Sequence, residues 1–152
     1  MAVPLFDNRT FEPLVEARVT DRVKSRLVSA RSWRLVNTPE RATVVIRGAV
    51  TAFGVTTVSF SADNRPLEQR ISITADITTE SKTDAPPLRV TLTGTAEYTE
   101  TSDSLQTRTN KNRAIEEAGD GLAEALVARL DAHRVKKGPP VAPKPAETPA
   151  AP

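Results

Sequence analysis

The sequence predicts an α+β fold, a two-layer sandwich in which two helices pack on one face of a four-stranded mixed sheet, in the order β-α-β-β-β-α. Three observations predict it. Three segments alternate apolar and polar residues as half-buried strands do, two segments have the apolar spacing of amphipathic helices, and a short apolar run opens the chain. A chain of 152 residues has room for one such domain, which we place at residues 1–135.

The N-terminal part contains the first strand and the first helix. Met1–Phe6 is a short apolar run, and the proline within it suits an edge strand better than a central one. From Pro13 to about Ala30 an apolar residue recurs every four positions between charged side chains, which predicts an amphipathic helix (Val15, Val19, Val23 and Leu27). We expect Thr10 to cap this helix and Pro13 to lie in its first turn.

Three strands are predicted next, over residues 42–51, 70–78 and 88–98. Each has one apolar face and one polar face rich in threonine. Such clean alternation indicates a sheet that is covered on one side only, because a strand buried on both faces would be apolar throughout. Between the first two of these strands, residues 54–67 predict a long loop around Asp63-Asn64-Arg65-Pro66, and long loops with apolar residues are often functional.

The second helix is predicted from Asn110 to about Val135, with one apolar stripe (Ile115, Ala118, Leu122, Leu126 and Leu130). Residues 136–152 hold six of the twelve prolines, a composition that cannot bury a core and predicts a disordered tail. The tail also carries three lysines against one glutamate, which accounts for the whole net charge of +2. The domain itself is therefore neutral, which argues against nucleic acid as a partner.

Few residues are available for catalysis or metal binding. The chain has no cysteine and a single histidine, His133, which excludes thiol nucleophiles, disulfides, and thiolate or multi-histidine metal sites. No nucleophile motif and no phosphate-binding loop motif is present. The carboxylates Glu116, Glu117 and Asp120 fall on the outer side of the second helix, where a solvated face is the simplest interpretation. We therefore predict a protein that is not an enzyme and needs no cofactor.

Basic residues on and near the threonine-rich face are candidates for holding an anion. They are Arg47, Arg70 and Arg89 on that face, Arg65 in the predicted loop, and Arg108, Lys111 and Arg113 before or within the first turn of the second helix. Converging Arg and Lys side chains bind phosphate groups, although most exposed charges are simply solvated. Both interpretations stay open on these residues alone.

The opening of the chain carries a family resemblance. Ala2-Val3-Pro4-Leu5-Phe6-Asp7-Asn8-Arg9-Thr10, followed by a helix that bears Glu16, resembles the mature start of the lipopolysaccharide-assembly lipoproteins of the LptE type, whose pattern is V-P-x-F-x-N-x-T. The later strands and the closing helix agree in order with that family over about 130 residues. Most of the specificity lies in the first sixteen residues.

This resemblance implies a non-enzymatic subunit that plugs an outer-membrane β-barrel of the LptD type, helps that barrel assemble and binds lipopolysaccharide. It implies a location on the periplasmic side of the outer membrane. By position, it implies lipopolysaccharide contacts at Arg65, Arg70, Arg108 and Lys111. A threonine-rich sheet face would suit the polar lumen of a barrel, and exposure to water explains it equally well.

Two other classes stay open. The opening also resembles, less closely, the curli-secretion and cell-wall-synthase-activator lipoproteins, which read L-P-F-x-N-x-T-G where this chain has Pro4-Leu5-Phe6 and then Phe11. The third class is a cytosolic binding module. LptE-type proteins carry a signal peptide and a lipidated cysteine before the first strand, and the sequence as written shows neither, so on its own it leads us to expect a soluble, unexported chain.

Overall fold

The structure, a computed structural model, describes residues 1–136. Its sheet has the order β1-β2-β3-β4, with β1 at Asp7–Asn8, β2 at Val44–Phe60, β3 at Pro66–Ser81 and β4 at Arg89–Thr99. Strand β1 pairs with β2 in parallel, and the other neighbours are antiparallel. The helices are α1, Val15–Ser29, and α2, Ser104–Lys136, and a single 3₁₀ turn lies at Pro39–Arg41. The predicted α+β fold class and element order are confirmed, and the tail beyond residue 136 lies outside the described residues.

The core fills the space between the two helices and one face of the sheet. The apolar positions that the sequence periodicity singled out are buried there, from α1 (Val15, Val19, Val23, Leu27), from α2 (Ile115, Ala118, Leu122, Leu126, Leu130) and from the strands (Ile46, Val50, Ile71, Ile73, Ala75, Ile77, Leu92). Helix α2 packs over β4 and against α1. Both helices therefore lie on the same face, and no helix of the described residues covers the other face.

Strand β1 differs from its prediction. The apolar run at Met1–Phe6 makes only an isolated bridge, between Ala2 and Val45, and the regular pairing begins at Asp7 opposite Ala49. Pro4, which has no N–H and a fixed φ, explains why the run does not pair continuously. The segment still lies at the edge of the sheet, as the proline predicted, and Phe6 is buried against Gly48.

The N-terminus of α1 is not capped by Thr10. Its hydroxyl instead donates to Asn8 Oδ1 at 2.7 Å and accepts from the backbone N–H of Glu12 at 3.2 Å. Leu14 occupies the capping position with φ 64°, in the left-handed region, and makes no side-chain cap. A non-glycine residue there costs roughly 1–2 kcal/mol. Pro13 consequently precedes the helix and does not lie in its first turn.

The long loop predicted over residues 54–67 is wrong. Strands β2 and β3 continue through this region as a β-hairpin, with Gly54 opposite Ser72 and Thr57 opposite Gln69. Only residues 61–65 turn, with the Ser61 N–H donating to the Arg65 carbonyl at 2.8 Å and Asn64 at φ 60°. The hairpin has register shifts near Ala52 and Ser59, and these irregularities break the apolar alternation that would have revealed the strands.

The uncovered face of the sheet is polar, as predicted. Cross-strand pairs connect its side chains: the hydroxyls of Thr74 and Thr93 lie 3.1 Å apart, and Thr91 donates to Asp76 at 2.6 Å. Arg47 pairs with Glu80 at 3.0 Å. These bonds pair several of the polar side chains with one another, so the face presents hydroxyls and paired charges in place of an apolar surface.

Helix α2 begins six residues earlier than predicted. Asp103 caps it, because its Oδ1 accepts from the backbone N–H of Leu105 at 2.9 Å and of Gln106 at 3.3 Å. The polar composition of residues 104–109 contains no apolar stripe, which explains why the periodicity missed this part. No helix in the described part of the chain is long and apolar enough to cross a membrane.

Of the three carboxylates that the sequence grouped on α2, Glu116 and Asp120 do not form a solvated face, whereas Glu117 is exposed. Glu116 accepts from Arg22 at 2.8 Å and lies 3.5 Å from Arg18, and Asp120 lies 3.7 Å from Arg22 and 3.9 Å from Arg26. The acidic row on α2 thus meets the basic row on α1. The prediction of a solvated cluster is wrong because α1 packs beside this face, and the charges join the two helices.

Candidate functional site

Three segments meet at one end of the molecule, which we call the distal end. They are the loop at residues 9–14, the end of the β2–β3 hairpin at residues 54–67, and the first turns of α2 at residues 104–111. Lys111 bonds Glu12 at 3.1 Å and so joins the helix to the loop. The backbone N–H of Glu100 donates to the carbonyl of Leu67 at 2.9 Å and joins the chain before α2 to the hairpin.

Arg65 lies in the turn of the hairpin, the most extended point of the distal end. Its backbone is held by Ser61, whose hydroxyl accepts from the Arg65 N–H at 3.3 Å. The Arg65 guanidinium is exposed and has no ion pair or hydrogen bond with another described residue. It is therefore available to an anionic ligand.

Arg70 lies on the uncovered face of β3 and is already paired. Its guanidinium donates to Glu97 Oε1 at 2.6 Å and 3.0 Å. Both side chains are about half exposed, so solvent screens the pair, and it contributes little stability. An anion could bind here only by sharing Arg70 with Glu97.

Arg108 and Lys111 lie in the second and third turns of α2, and not at its start as predicted. Arg108 is exposed and makes no ion pair with another described residue. Lys111 is engaged: besides Glu12 it meets the ring of Phe53, with its Nζ 5.5 Å from the ring centre. Lys111 therefore connects α2 to the 9–14 loop and to β2. Its ammonium group already interacts with Glu12 and Phe53 in the absence of a ligand.

The four predicted contacts do not form one cluster. Arg70 points to the uncovered face, whereas Lys111 lies on the helical side of the sheet. Arg65 is five residues along β3 from Arg70, which corresponds to roughly 17 Å. The sequence grouped two free cations, Arg65 and Arg108, with two cations that already have partners in the fold.

Large apolar side chains are also exposed on all three segments of the distal end, and the sequence reasoning did not identify them as one surface. They are Phe11, Leu14, Val55, Val58, Phe60, Leu67 and Leu105. Phe11 is fully exposed, on the loop that the left-handed Leu14 terminates. A cavity of about 360 Å³ beside it is lined by Arg9, Phe11 and Phe53. The signal in the sequence was the set of apolar residues in the 54–67 segment.

Tyr98 is a buried titratable side chain near the end of β4, on the side of the molecule where the distal end lies. Burial raises the pKa of its phenol above the usual value, and the negative charges of Glu100 and Glu12 raise that pKa further. Its hydroxyl therefore remains neutral well into the alkaline range. A neutral phenol in this position is a structural group and not a proton carrier at neutral pH.

The distal end offers cations and exposed apolar side chains. Among the described residues, no group of three or more His, Asp or Glu side chains comes together to hold a metal ion. The surface suits an amphipathic anionic ligand, with phosphate at the arginines and hydrocarbon against the exposed apolar residues.

Comparison with known proteins identifies the family. The sequence profile of the lipopolysaccharide-assembly family, LptE, matches residues 1–130. The chain belongs to the LptE family. No curated protein sequence matches it. This family assignment agrees with the resemblance carried by the opening residues and favours it over the curli-secretion, synthase-activator and cytosolic alternatives.

Solved structures share the fold of this LptE-family chain at low sequence identity. Rare lipoprotein B from Shewanella oneidensis has 13% identity and a TM-score of 0.56, with 90% of this chain and 98% of that chain covered. A minor lipoprotein from Acinetobacter baumannii has 14% identity and a TM-score of 0.52, with coverages of 88% and 91%. A protein of Caulobacter crescentus has 10% identity and a TM-score of 0.59, with coverages of 88% and 93%. At these identities the similarity establishes the fold alone.

Proposed function

We propose that this LptE-family protein is a non-enzymatic plug of an LptD-like outer-membrane barrel, which it helps to assemble, and that it binds lipopolysaccharide on the periplasmic side of that membrane. The observation that carries the proposal is the combination of free cations with exposed apolar side chains at the distal end of a chain from this family. Lipopolysaccharide has the matching chemistry, with phosphates beside acyl chains.

Arg65 and Arg108 are the primary lipopolysaccharide contacts in this proposal, because neither makes an ion pair with another described residue. Arg70 and Lys111 are secondary contacts. Each already has a carboxylate partner, Glu97 or Glu12, and a phosphate must compete with it. A charge-assisted hydrogen bond to a free arginine contributes more binding free energy than one that replaces an existing pair.

The uncovered sheet face supports the plug role. Its threonine hydroxyls and paired charges resemble the polar lining of a barrel lumen. A polar wall can pack on such a face through hydrogen bonds and water. Hydrocarbon offers no hydrogen-bond partner to the hydroxyls and charged groups of this face, so burial against acyl chains would be unfavourable.

Lipopolysaccharide binding is tested by replacing Arg65 and Arg108 with glutamate and measuring affinity for purified lipopolysaccharide on a surface sensor. Each replacement should weaken binding roughly tenfold, and Arg70→Glu and Lys111→Glu should weaken it less, provided circular dichroism shows intact folding. Lys24→Glu, on the exposed side of α1, is the matched control with the same charge change. Unchanged affinity of the Arg65→Glu, Arg108→Glu double variant would refute the proposed contacts.

The plug role is tested by co-expression with the LptD-like barrel and purification through a tag on the barrel. We expect the two proteins to elute together at a constant ratio. Recovery of the barrel in correctly folded form without this protein, or elution of the two as separate species, would argue against both the plug and the assembly role.

A further inference from the structure

Strand β4 forms a free edge of the sheet. Within residues 1–136 it pairs with β3 alone, in the order β1-β2-β3-β4. The backbone N–H of Thr79 donates to the carbonyl of Leu88, so these two residues form a hydrogen-bonded pair between β3 and β4. In an antiparallel pair of strands, every second residue is hydrogen-bonded to the neighbouring strand, and the residues between them direct their N–H and C=O to the other side. Even-numbered residues from 88 to 98 therefore bond β3. The odd-numbered ones direct their N–H and C=O away from the sheet (Arg89, Thr91, Thr93, Thr95, Glu97 and Thr99).

Most of these outward groups have no partner in the described chain. Only the carbonyl of Thr99 is satisfied, by the side-chain amide of Asn110 at 3.0 Å. Proteins usually block an edge of this kind with charged side chains, especially lysine, or with a proline, a bulge or a covering helix or loop. Strand β4 has charged residues only near its ends, Arg89 and Glu97. It has no proline, and its pairing with β3 shows no register shift. The edge between Thr91 and Glu97 is thus open to another extended chain.

Helix α2 leaves room beside this edge. A groove of about 230 Å³ runs between the helix and the end of β4, lined by Glu97, Thr99, Asn110, Arg113 and Glu117. One turn beyond Glu117, a side-chain carbon added at Gly121 would meet nothing within 4 Å. An added strand would therefore find both free hydrogen-bonding groups and unoccupied space.

The groove also carries a charge pattern. Arg113 and Glu117 are exposed, and neither makes an ion pair with another described residue. Four residues along a helix rise about 6 Å, and two residues along a strand rise about 6.6 Å. An extended segment with an acidic and a basic side chain two residues apart would face both charges at once.

A second copy of the chain does not fit this edge. Gly94 lies directly beneath the backbone of Ala118, so α2 is centred over β4. If two β4 edges paired about a two-fold axis, their strands would be about 4.8 Å apart, and the two α2 helices would lie on the same face at a similar spacing. Packed helices need 8–10 Å between axes. The occupant must therefore be a segment that brings no helix with it.

We infer that an extended segment of the barrel subunit, with an acidic and a basic residue two positions apart, adds to the edge of β4 as a fifth strand. The inference rests on the proposed function, since it names the barrel as the partner. The backbone of Thr91–Glu97 supplies the hydrogen bonds, and Arg113 and Glu117 select the segment by charge.

Hydrogen exchange of the β4 amides, alone and in the purified complex with the barrel, tests the inference. The amides of Thr91, Thr93, Thr95 and Glu97 should exchange rapidly in the free protein and at least tenfold more slowly in the complex. The inward amides of β4 serve as an internal control, because the ladder to β3 protects them in both states.

Two variants at residue 93 distinguish backbone pairing of an added strand with β4 from simple burial of the β4 edge in the complex. Thr93→Pro removes an outward N–H without disturbing the ladder and should weaken the complex about tenfold, whereas Thr93→Ala keeps the N–H and should not. Arg113→Glu should weaken it too, with Arg129→Glu, near the far end of the same helix, as the control.

The outcomes distinguish the inference from the proposed function. A complex in which the outward amides exchange as fast as in the free protein overturns the inference and leaves the plug role intact. Failure to form any complex overturns both. Protection that appears in the isolated protein as its concentration rises would show that a second copy occupies the edge, and the inference would be wrong.

Discussion

Gly94 on β4 and Ala118 on α2 are in direct backbone contact. A side-chain carbon added at residue 94 would lie 2.9 Å from the carbonyl carbon of Ala118 and 3.0 Å from the backbone nitrogen of Leu122. Real side-chain carbons do not approach backbone atoms so closely, so the absence of a side chain at this position sets the distance between the sheet and the helix.

We therefore expect Gly94→Ala to destabilise the protein by about 3 kcal/mol, because the helix must move away from β4 and lose contact with the core. Urea denaturation followed by circular dichroism measures this change. Gly54→Ala is the matched strand control, since a side-chain carbon there meets nothing within 4 Å. Equal stability of the two variants would show that α2 adjusts without cost.

Gly121→Ala should have the opposite effect. Residue 121 lies within α2, and the added carbon has open space around it. Alanine loses less conformational entropy than glycine in a helix, so the free energy of unfolding should rise by about 1 kcal/mol. Thermal denaturation of the variant beside the wild type checks this, and a lower melting temperature would contradict it.

The pair formed by Lys111 and Glu12 should be coupled energetically. A double-mutant cycle with Lys111→Met and Glu12→Gln should give a coupling of about 1 kcal/mol, because the pair is partly buried and less screened by solvent. The exposed pair Arg47 and Glu80 provides the comparison, with an expected coupling below about 0.5 kcal/mol. A larger coupling energy for Arg47 and Glu80 than for Lys111 and Glu12 would refute the structural role of Lys111.

The free energy of unfolding should fall above pH 10, in part because the phenol of Tyr98 ionises there. Its pKa is raised by burial and by neighbouring carboxylates, so the folded protein holds the phenolic proton more tightly than the unfolded chain does. The stabilisation is fully present below the unfolded pKa near 10 and is lost as the pH rises through the folded pKa. Tyr98→Phe should therefore lose less stability than the wild type between pH 8 and pH 11 in urea denaturation, and an identical loss would exclude this contribution.

The sequence predicted the fold class correctly because the spacing of apolar residues shows which side of each helix and strand is buried. Every apolar position on the stripes of α1 and α2 is buried, and the uncovered face of the sheet is polar as its threonines indicated. The errors occur in segments that are largely exposed, because such segments have no buried side for the periodicity to show. Residues 54–60 form an exposed part of β2, and residues 104–109 form an exposed part of α2. Neither segment has apolar residues at a regular spacing.

The candidate site was predicted less completely, for a related reason. The sequence indicates which residues are cationic but not which are already paired, so Lys111 and Arg70 were grouped with Arg65 and Arg108. The partners Glu12 and Glu97 are 99 and 27 residues away along the chain, and only the fold brings them close. The exposed apolar side chains were indicated only in part, by residues 54–67, because the others come from two segments that are distant along the chain.

The packing of α1 on α2 has a consequence for the order of folding. The surface that covers the apolar stripe of α1 belongs largely to α2, which lies far along the chain from it. Until α2 docks, the valines of α1 stay uncovered even if the sheet has formed. Docking of α2, and not pairing of the strands, is then the step that closes the core.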